Sequence, residues 1–304
     1  MDKVYASIVI PTHNRKPILR KALKALFRQD YPAGQFEIII VDDGSTDGTR
    51  EMIQELEPPC RLRYEYQEQS GPAPARNRGI KLAAGEVIVF IDDDIIVVPG
   101  FLQSHLKHHQ EKDKVIVHGP VIHTHDPEDP TSAEKKLQDF SAAFFATGNA
   151  SLRRKYLLEA GLFDEGFDEY GWEDLELGHR LKRFGLTAVK EPAAEGYHLK
   201  HPFQVADMAK YISREEQRGR MAIVFFKKDP TFSTRMTTLY WPPFFILERL
   251  LNLGGWPDWK ATRRFIAWTE KKGWLKLTKA LTYFVKLKAY FRGLQEGVSL
   301  YLED

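Results

Sequence analysis

The 304-residue sequence has one cysteine, Cys60. An intramolecular disulfide is therefore excluded, and a reducing compartment is the better fit. Also missing is any uninterrupted apolar run of the ~18–20 residues that a membrane-spanning helix needs. The best approach to one, residues 239–253, is broken by Pro242, Pro243, Glu248 and Arg249. Residues 1–5 lead straight into a strand pattern, with no long apolar segment or small-residue cleavage site of a secretory signal. The expectation is a cytoplasmic protein, with a peripheral position on the cytoplasmic face of a membrane left open. Excess charge of either sign is lacking too, the net value being +2. With 43% apolar and 28% charged residues, the composition excludes disordered, collagen-like and disulfide-scaffold chains. The length fits one large domain with an appendage, or two domains.

The small net charge is the sum of two unlike parts. Residues 1–202 carry −6 and residues 203–304 carry +8, and the second part holds five of the six tryptophans. The sequence thus predicts a boundary near 202, between a body (1–202) and a basic, aromatic-rich, mainly helical region (203–304).

Within the body, apolar runs alternate with helical patterns. Residues 7–11, 36–41, 62–65 and 86–91 read as strands, and residues 16–29, 49–56 and 75–83 as helices. Such alternation implies right-handed crossovers and a mainly parallel sheet flanked by helices. Ligands of these sheets sit beyond the carboxyl ends of the strands. The first strand runs into Pro11-Thr12-His13-Asn14-Arg15, the second into Asp42-Asp43-Gly44-Ser45, and the strand at 86–91 into Asp92-Asp93-Asp94. Any one of these reads equally well as a turn or a helix cap; three together at neighbouring strand ends point to a site.

Three consecutive aspartates after a buried strand would be costly in an apolar core. Around a divalent cation they are not. Oxygen donors of this kind suit Mg²⁺ or Mn²⁺, which complete their shell with water and substrate phosphates.

Six segments in order, SIVIPTHNR (7–15), VDDGSTDGT (41–49), GPAPARNRGI (71–80), FIDDD (90–94), TGNASLRR (147–154) and GWEDLELGHRLKRFG (171–185), resemble the motifs of family 2 glycosyltransferases with the GT-A fold. The resemblance covers about residues 5–202. It implies a Rossmann-like, mixed but mainly parallel α/β domain and an inverting, metal-dependent hexosyl transfer. By the same resemblance, Pro11, Thr12, Asn14, Asp43, Arg76, Asp92 and Asp93 contact the nucleotide sugar, with Asp43 on the base and Arg76 near the diphosphate or base. Asp94 ligates Mn²⁺ or Mg²⁺, although the triplet leaves the register open by one residue. His198 is the second metal ligand, with His201 as its substitute. Asp174 is the base that withdraws the acceptor proton, a role the chemistry requires because a sugar hydroxyl attacks well only as its proton leaves. Gly148, Asn149, Trp172 and Glu173 fall where the acceptor or donor sugar lies; acids such as Glu173 also serve simply to complement a helix dipole.

The remaining histidines, among them His105, His108, His109, His118, His123 and His125, have irregular spacings and read as surface or loop residues. Residues 123–133, rich in Asp, Pro and Thr, read as a mobile loop. In the tail, Trp274, Leu277, Leu281, Phe284 and Phe291 form an apolar stripe with lysines beside it, a pattern that fits either an anionic membrane surface or packing on protein, including a second subunit. No nucleic-acid motif accompanies the charge. The implied partners are a nucleotide-diphosphate sugar and a carbohydrate or lipid-linked acceptor. A sugar-1-phosphate nucleotidyltransferase is the rival enzyme, but its Gly-rich basic loop is absent after the first strand. A non-catalytic nucleotide-sugar-binding protein is the other rival.

Overall fold

The computed structural model describes residues 5–126, 128–199 and 204–302. Two compact units emerge, Met1–Glu165 with Asp174–His201, and Gly166–Glu173 with Pro202–Asp304.

The strands of the first unit are β1 (Ala6–Thr12), β2 (Phe36–Asp43), β3 (Arg61–Gln67), β4 (Val87–Ile91), β5 (Ile95–Val97), β6 (Val115–His118), β7 (Val121–Thr124), β8 (Asn149–Arg153), β9 (Thr187–Lys190) and β10 (Gly196–Leu199). Its helices are α1 (Lys16–Leu26), α2 (Thr49–Gln54), α3 (Pro72–Leu82), α4 (Phe101–Glu111), α5 (Arg154–Glu159) and α6 (Glu173–Arg183), the last beginning one residue inside the second unit. Seven strands form one sheet in the order β3-β2-β1-β4-β8-β6-β9, and β5-β10-β7 form a small second one. β1 pairs in parallel with β2 and β4, whereas β8 runs antiparallel to β4 and β6. The expected mixed, mainly parallel α/β fold is what the structure shows.

The sheet forms because its central strands are apolar on both faces. Ile8, Ile10, Ile38 and Ile40 point to one side, against Leu19, Leu23 and Leu26 of α1 and Phe101 and Leu102 of α4. Val9, Ile39, Val41, Ile88 and Phe90 point to the other, against Ile80 of α3 and Leu177 and Leu181 of α6. With both faces covered, the polar ends of β1, β2 and β4 are left as the open edge where chemistry can occur. His123 and Thr124, expected in a loop, belong to β7 and pair with β10.

The second unit contains α7 (Met208–Lys228), α8 (Phe232–Thr237), α9 (Pro242–Leu251), a 3₁₀ segment (Leu253–Asp258), α10 (Lys260–Lys271) and α11 (Leu275–Tyr301). α7 and α11 approach closely at Gly219 and Gly293. A Cβ on Gly219 would fall 2.2 Å from the Tyr290 carbonyl oxygen, and one on Gly293 2.0 Å from that of Glu216. Only glycine permits this spacing, since the neighbours are backbone and cannot yield. The tail stripe is bare only at its start: Trp274 and Leu277 are exposed, Leu281 and Phe284 are half-buried, and Phe291 is buried.

Candidate active site

The loops after β1, β2 and β4 converge because those strands are neighbours in the sheet. From β1, Pro11 is half-buried and Thr12 is buried, with Thr12 Oγ1 donating to Asp93 Oδ2 at 2.7 Å. Asn14 takes a left-handed backbone (φ 52°), which asparagine tolerates better than most residues. Its backbone N–H donates to Ser45 Oγ and its Oδ1 accepts from the Thr46 N–H, both at 2.8 Å, so it ties the β1 loop to the β2 loop. Asp43 accepts from Gln67 Nε2 and the Ser70 N–H on Oδ1 (2.8 Å each) and from the Gly71 N–H on Oδ2 (2.9 Å). A carboxylate has about four lone-pair sites, so roughly one remains for a ligand.

The aspartate triplet divides by partner. Asp92 is the open member, its side chain 44% exposed, with Oδ1 3.5 Å from Arg76 Nη2. Asp93 is buried, and burial pushes its carboxyl up to about 7 against the opposing pull of Arg15 and Thr12. Asp94 Oδ2 lies 3.1 Å from His198 Nε2 and ion-pairs closely with Arg15. Burial alone would raise Asp94, but His198 and Arg15 outweigh it and hold it below the usual carboxylate range. Arg15, part of the first motif but given no role by it, is thus a member of the cluster.

Asp174, at the start of α6, has its two oxygens in unlike settings. Thr147 donates its backbone N–H (3.0 Å) and its hydroxyl (2.9 Å) to Oδ2. Oδ1 is buried with no hydrogen-bond partner among the described residues, Arg76 Nη1 being 3.9 Å away. One oxygen is oriented by Thr147, and the other carries no hydrogen bond among the described residues. Arg76 stands between Asp92 and Asp174 over the Phe163 ring, at the centre of the acid cluster. Thr147 was visible only as part of its motif; its role depends on a contact across 27 residues.

Gly148 lies against Asp92, since a Cβ there would come 3.4 Å from Asp92 Oδ2. Asn149, expected at the sugar, is buried instead. Its Nδ2 donates to the Pro120 and Ala194 carbonyls (2.9 Å each), and its Oδ1 is 2.8 Å from His105 Nε2. With both ends of the amide engaged, Asn149 braces the scaffold and does not offer a polar atom to a sugar.

His105 and His109, read as surface residues, are 0% exposed, and His118 is buried as well. Ser151 Oγ bridges His105 Nδ1 (3.0 Å) and His109 Nε2 (2.8 Å). Burial pushes the two imidazoles down to about 4 and about 3, which keeps them neutral. Their i,i+4 spacing beside Leu102 and Leu106 on α4 was the overlooked signal. His108 was also misread: it is half-buried, with Nε2 2.7 Å from Glu191. His123 and His125 are exposed, and the His123 ring sits 5.1 Å from that of His198. His201 lies outside the described residues.

Among the described residues, no group of three or more His, Cys, Asp or Glu is arranged to hold a metal ion. The Asp94–His198 pair still fits Mn²⁺ or Mg²⁺, because one carboxylate and one imidazole meeting at a point leave the remaining positions to water and phosphate oxygens.

Glu173 is buried at the first position of α6. In the second unit, Trp172 (φ 77°) donates from Nε1 to the Arg218 carbonyl at 2.7 Å. A cavity of about 230 Å³ opens there, lined by Trp172, Glu215, Arg218, Tyr283, Lys286 and Tyr290 among others.

The fold that carries this acid cluster is that of GT-A glycosyltransferases. A mannosyltransferase from Pyrobaculum calidifontis, solved with GDP-Man and Mn²⁺, superposes with a TM-score of 0.62 over 100% of this chain and 89% of its own, at 20% identity. Staphylococcus aureus TarS (1–349) in complex with UDP gives 0.52 over 99% and 93%, at 17% identity. The chain belongs to glycosyl transferase family 2, whose model matches residues 7–161. It is 30% identical over 233 residues to a validoxylamine A glucosyltransferase of Streptomyces hygroscopicus subsp. jinggangensis, spanning 64% of this chain and 55% of that one. It is also 30% identical over 241 residues to a hyaluronan synthase of Pasteurella multocida, spanning 64% and 24%. The chain therefore covers about half or less of the length of these two relatives.

Proposed function

We propose that the protein moves a glycosyl group, with inversion, from a nucleotide-diphosphate sugar, UDP-linked in our reading, to an acceptor hydroxyl in the synthesis of a cell-surface polysaccharide or glycolipid. The observation that carries this is Asp174: Thr147 fixes Oδ2, and the bare, buried Oδ1 takes the acceptor proton. Pro11, Thr12, Asn14 and Asp43 line the nucleotide, while Asp92 and Asp93 face the ribose and diphosphate. Arg76 balances the acids on either side of the reacting centre. Asp94 and His198 would hold Mn²⁺ or Mg²⁺, which supplies positive charge to the departing diphosphate. Gly148 leaves room beside Asp92, and Trp172 and Glu173 contact the acceptor. A nucleotidyltransferase would have no use for a base oriented in this way, nor would a mere binding protein.

The test is nucleoside diphosphate release from UDP-, GDP- and dTDP-sugars with Mn²⁺ or Mg²⁺, beside donor binding followed by thermal shift. Asp174→Asn should lower turnover by about 10²–10⁴-fold and leave donor binding nearly intact. Near-normal turnover in that variant rules out Asp174 as the base, and silence with every UDP-sugar rules out uridine.

A further inference from the structure

The C-terminal unit carries apolar surface and charge that the transfer chemistry does not use. Among the described residues, 19 large hydrophobic side chains are exposed, and 11 of them fall between positions 246 and 277. Ile246 (61%) and Leu250 (60%) lie one turn apart on α9, Leu253 (72%) begins the 3₁₀ segment, and Trp259, Trp268 and Trp274 follow around α10. Phe265 stacks on Trp268, which meets Trp274 edge-on at 5.0 Å, so the aromatics form one cluster. Exposed apolar surface this concentrated marks an interaction site.

The surrounding charges say which kind. Positions 249–279 hold eight Lys and Arg, all exposed, and among the described residues none of the eight takes part in an ion pair. The cations further along α11 differ: Lys286, Lys288 and Arg292 pair with Glu215, Glu248 and Glu216. The acids within the segment are already engaged, Asp258 by Arg292 and Glu270 by the Val205 N–H. The segment therefore offers eight cations without an ion-pair partner among the described residues, against the one acid Glu270 that no cation outside the segment neutralises, beside bare Trp, Phe, Leu and Ile. A twofold interface would press this face against its own like charges. No helix is long and apolar enough to cross a membrane among the described residues. We infer that α9, the 3₁₀ segment, α10 and the start of α11 form an interfacial face that docks on an anionic lipid surface, with aromatics at the headgroup boundary and cations on the phosphates. The face takes in the bare start of the expected stripe, Trp274 and Leu277, but not its buried distal part. It is independent of the glycosyl-transfer reading.

The test is co-sedimentation of the full chain with phosphatidylcholine vesicles, with and without phosphatidylglycerol, while tryptophan emission is recorded. Binding should require phosphatidylglycerol, weaken as salt rises and shift the emission to the blue. Arg263→Gln with Arg264→Gln should weaken it roughly 20-fold, since each cation at such a surface contributes about a factor of five. Ile246→Glu with Leu250→Glu should also weaken it, and because all four positions are exposed the variants keep the wild-type circular dichroism. Failure to sediment with anionic vesicles at low salt overturns the inference, as does equal binding to neutral ones. Light scattering that shows a dimer dispersed by Ile246→Glu with Leu250→Glu also overturns it, by assigning the face to a second copy.

Discussion

In the first unit the acids at the strand ends and at the start of α6 meet defined donors: Asp42 meets Tyr64, Asp43 the Gly71 N–H, Asp93 Thr12, Asp94 His198 and Asp174 Thr147. In the second, the eight cations between positions 249 and 279 form no ion pair among the described residues. The difference reflects the partner each must receive. A small, highly charged ligand needs donors and acceptors fixed beforehand, because ordering them at the moment of reaction would raise the barrier. A fluid surface needs charge density without fixed geometry, and long side chains left in water supply it.

This contrast can be broken at several points. The largest effect belongs to Asp174→Asn, as described above. Next is Gly293→Val, which pushes a side chain into the Glu216 carbonyl and should cost about 3 kcal/mol or more in denaturant unfolding, with the second unit affected first. Acid should then weaken the first unit through its buried histidines. Unfolded, His105 binds a proton near its ordinary 6.5, but folded only near 4. Stability held above pH 6.5 is therefore lost as the pH falls toward 4, by about 3 kcal/mol for this residue. His109 extends the loss to about 3. Unfolding midpoints measured stepwise from pH 7 to 4 should fall, and His109→Gln, which keeps a donor toward Ser151, should flatten the slope. Thr147→Val removes one of two donors to Asp174 Oδ2 and should lower kcat about tenfold with little change in KM. The smallest effect on folding is expected for Arg263→Gln with Arg264→Gln, within about 0.5 kcal/mol by denaturant titration and with unchanged turnover on a soluble acceptor.

Much of the first unit was legible in the sequence, because buried parallel strands are written as unbroken apolar runs and their ends as polar residues. Asp92, Asp93 and Asp94 stood out for that reason, and Asp174 through the resemblance of its motif. Arg15 and Thr147 did not, since nothing local marks an arginine that will reach Asp94 or a threonine that will hold an acid 27 residues away. Asn149 misled because asparagine in a motif suggests a ligand contact, whereas here its amide satisfies two backbone carbonyls and an imidazole. The histidines of α4 were misjudged by residue type when their helical spacing already placed them on the inner face. In the tail, amphipathic spacing showed an apolar stripe but not which part of it α7 would cover.

The crossing of α7 and α11 at Gly219 and Gly293 has a consequence for the stretch between them. Residues 229–274 leave the end of one helix and return to the start of the other, and they are braced against the pair: Tyr290 donates its hydroxyl to the Thr238 carbonyl, Lys288 pairs with the buried Glu248, and Ile266 packs with Met208 and Val285. Only the outward side chains of that stretch can therefore be rewritten, and with them the surface on which the protein settles, without disturbing the two helices that bracket it.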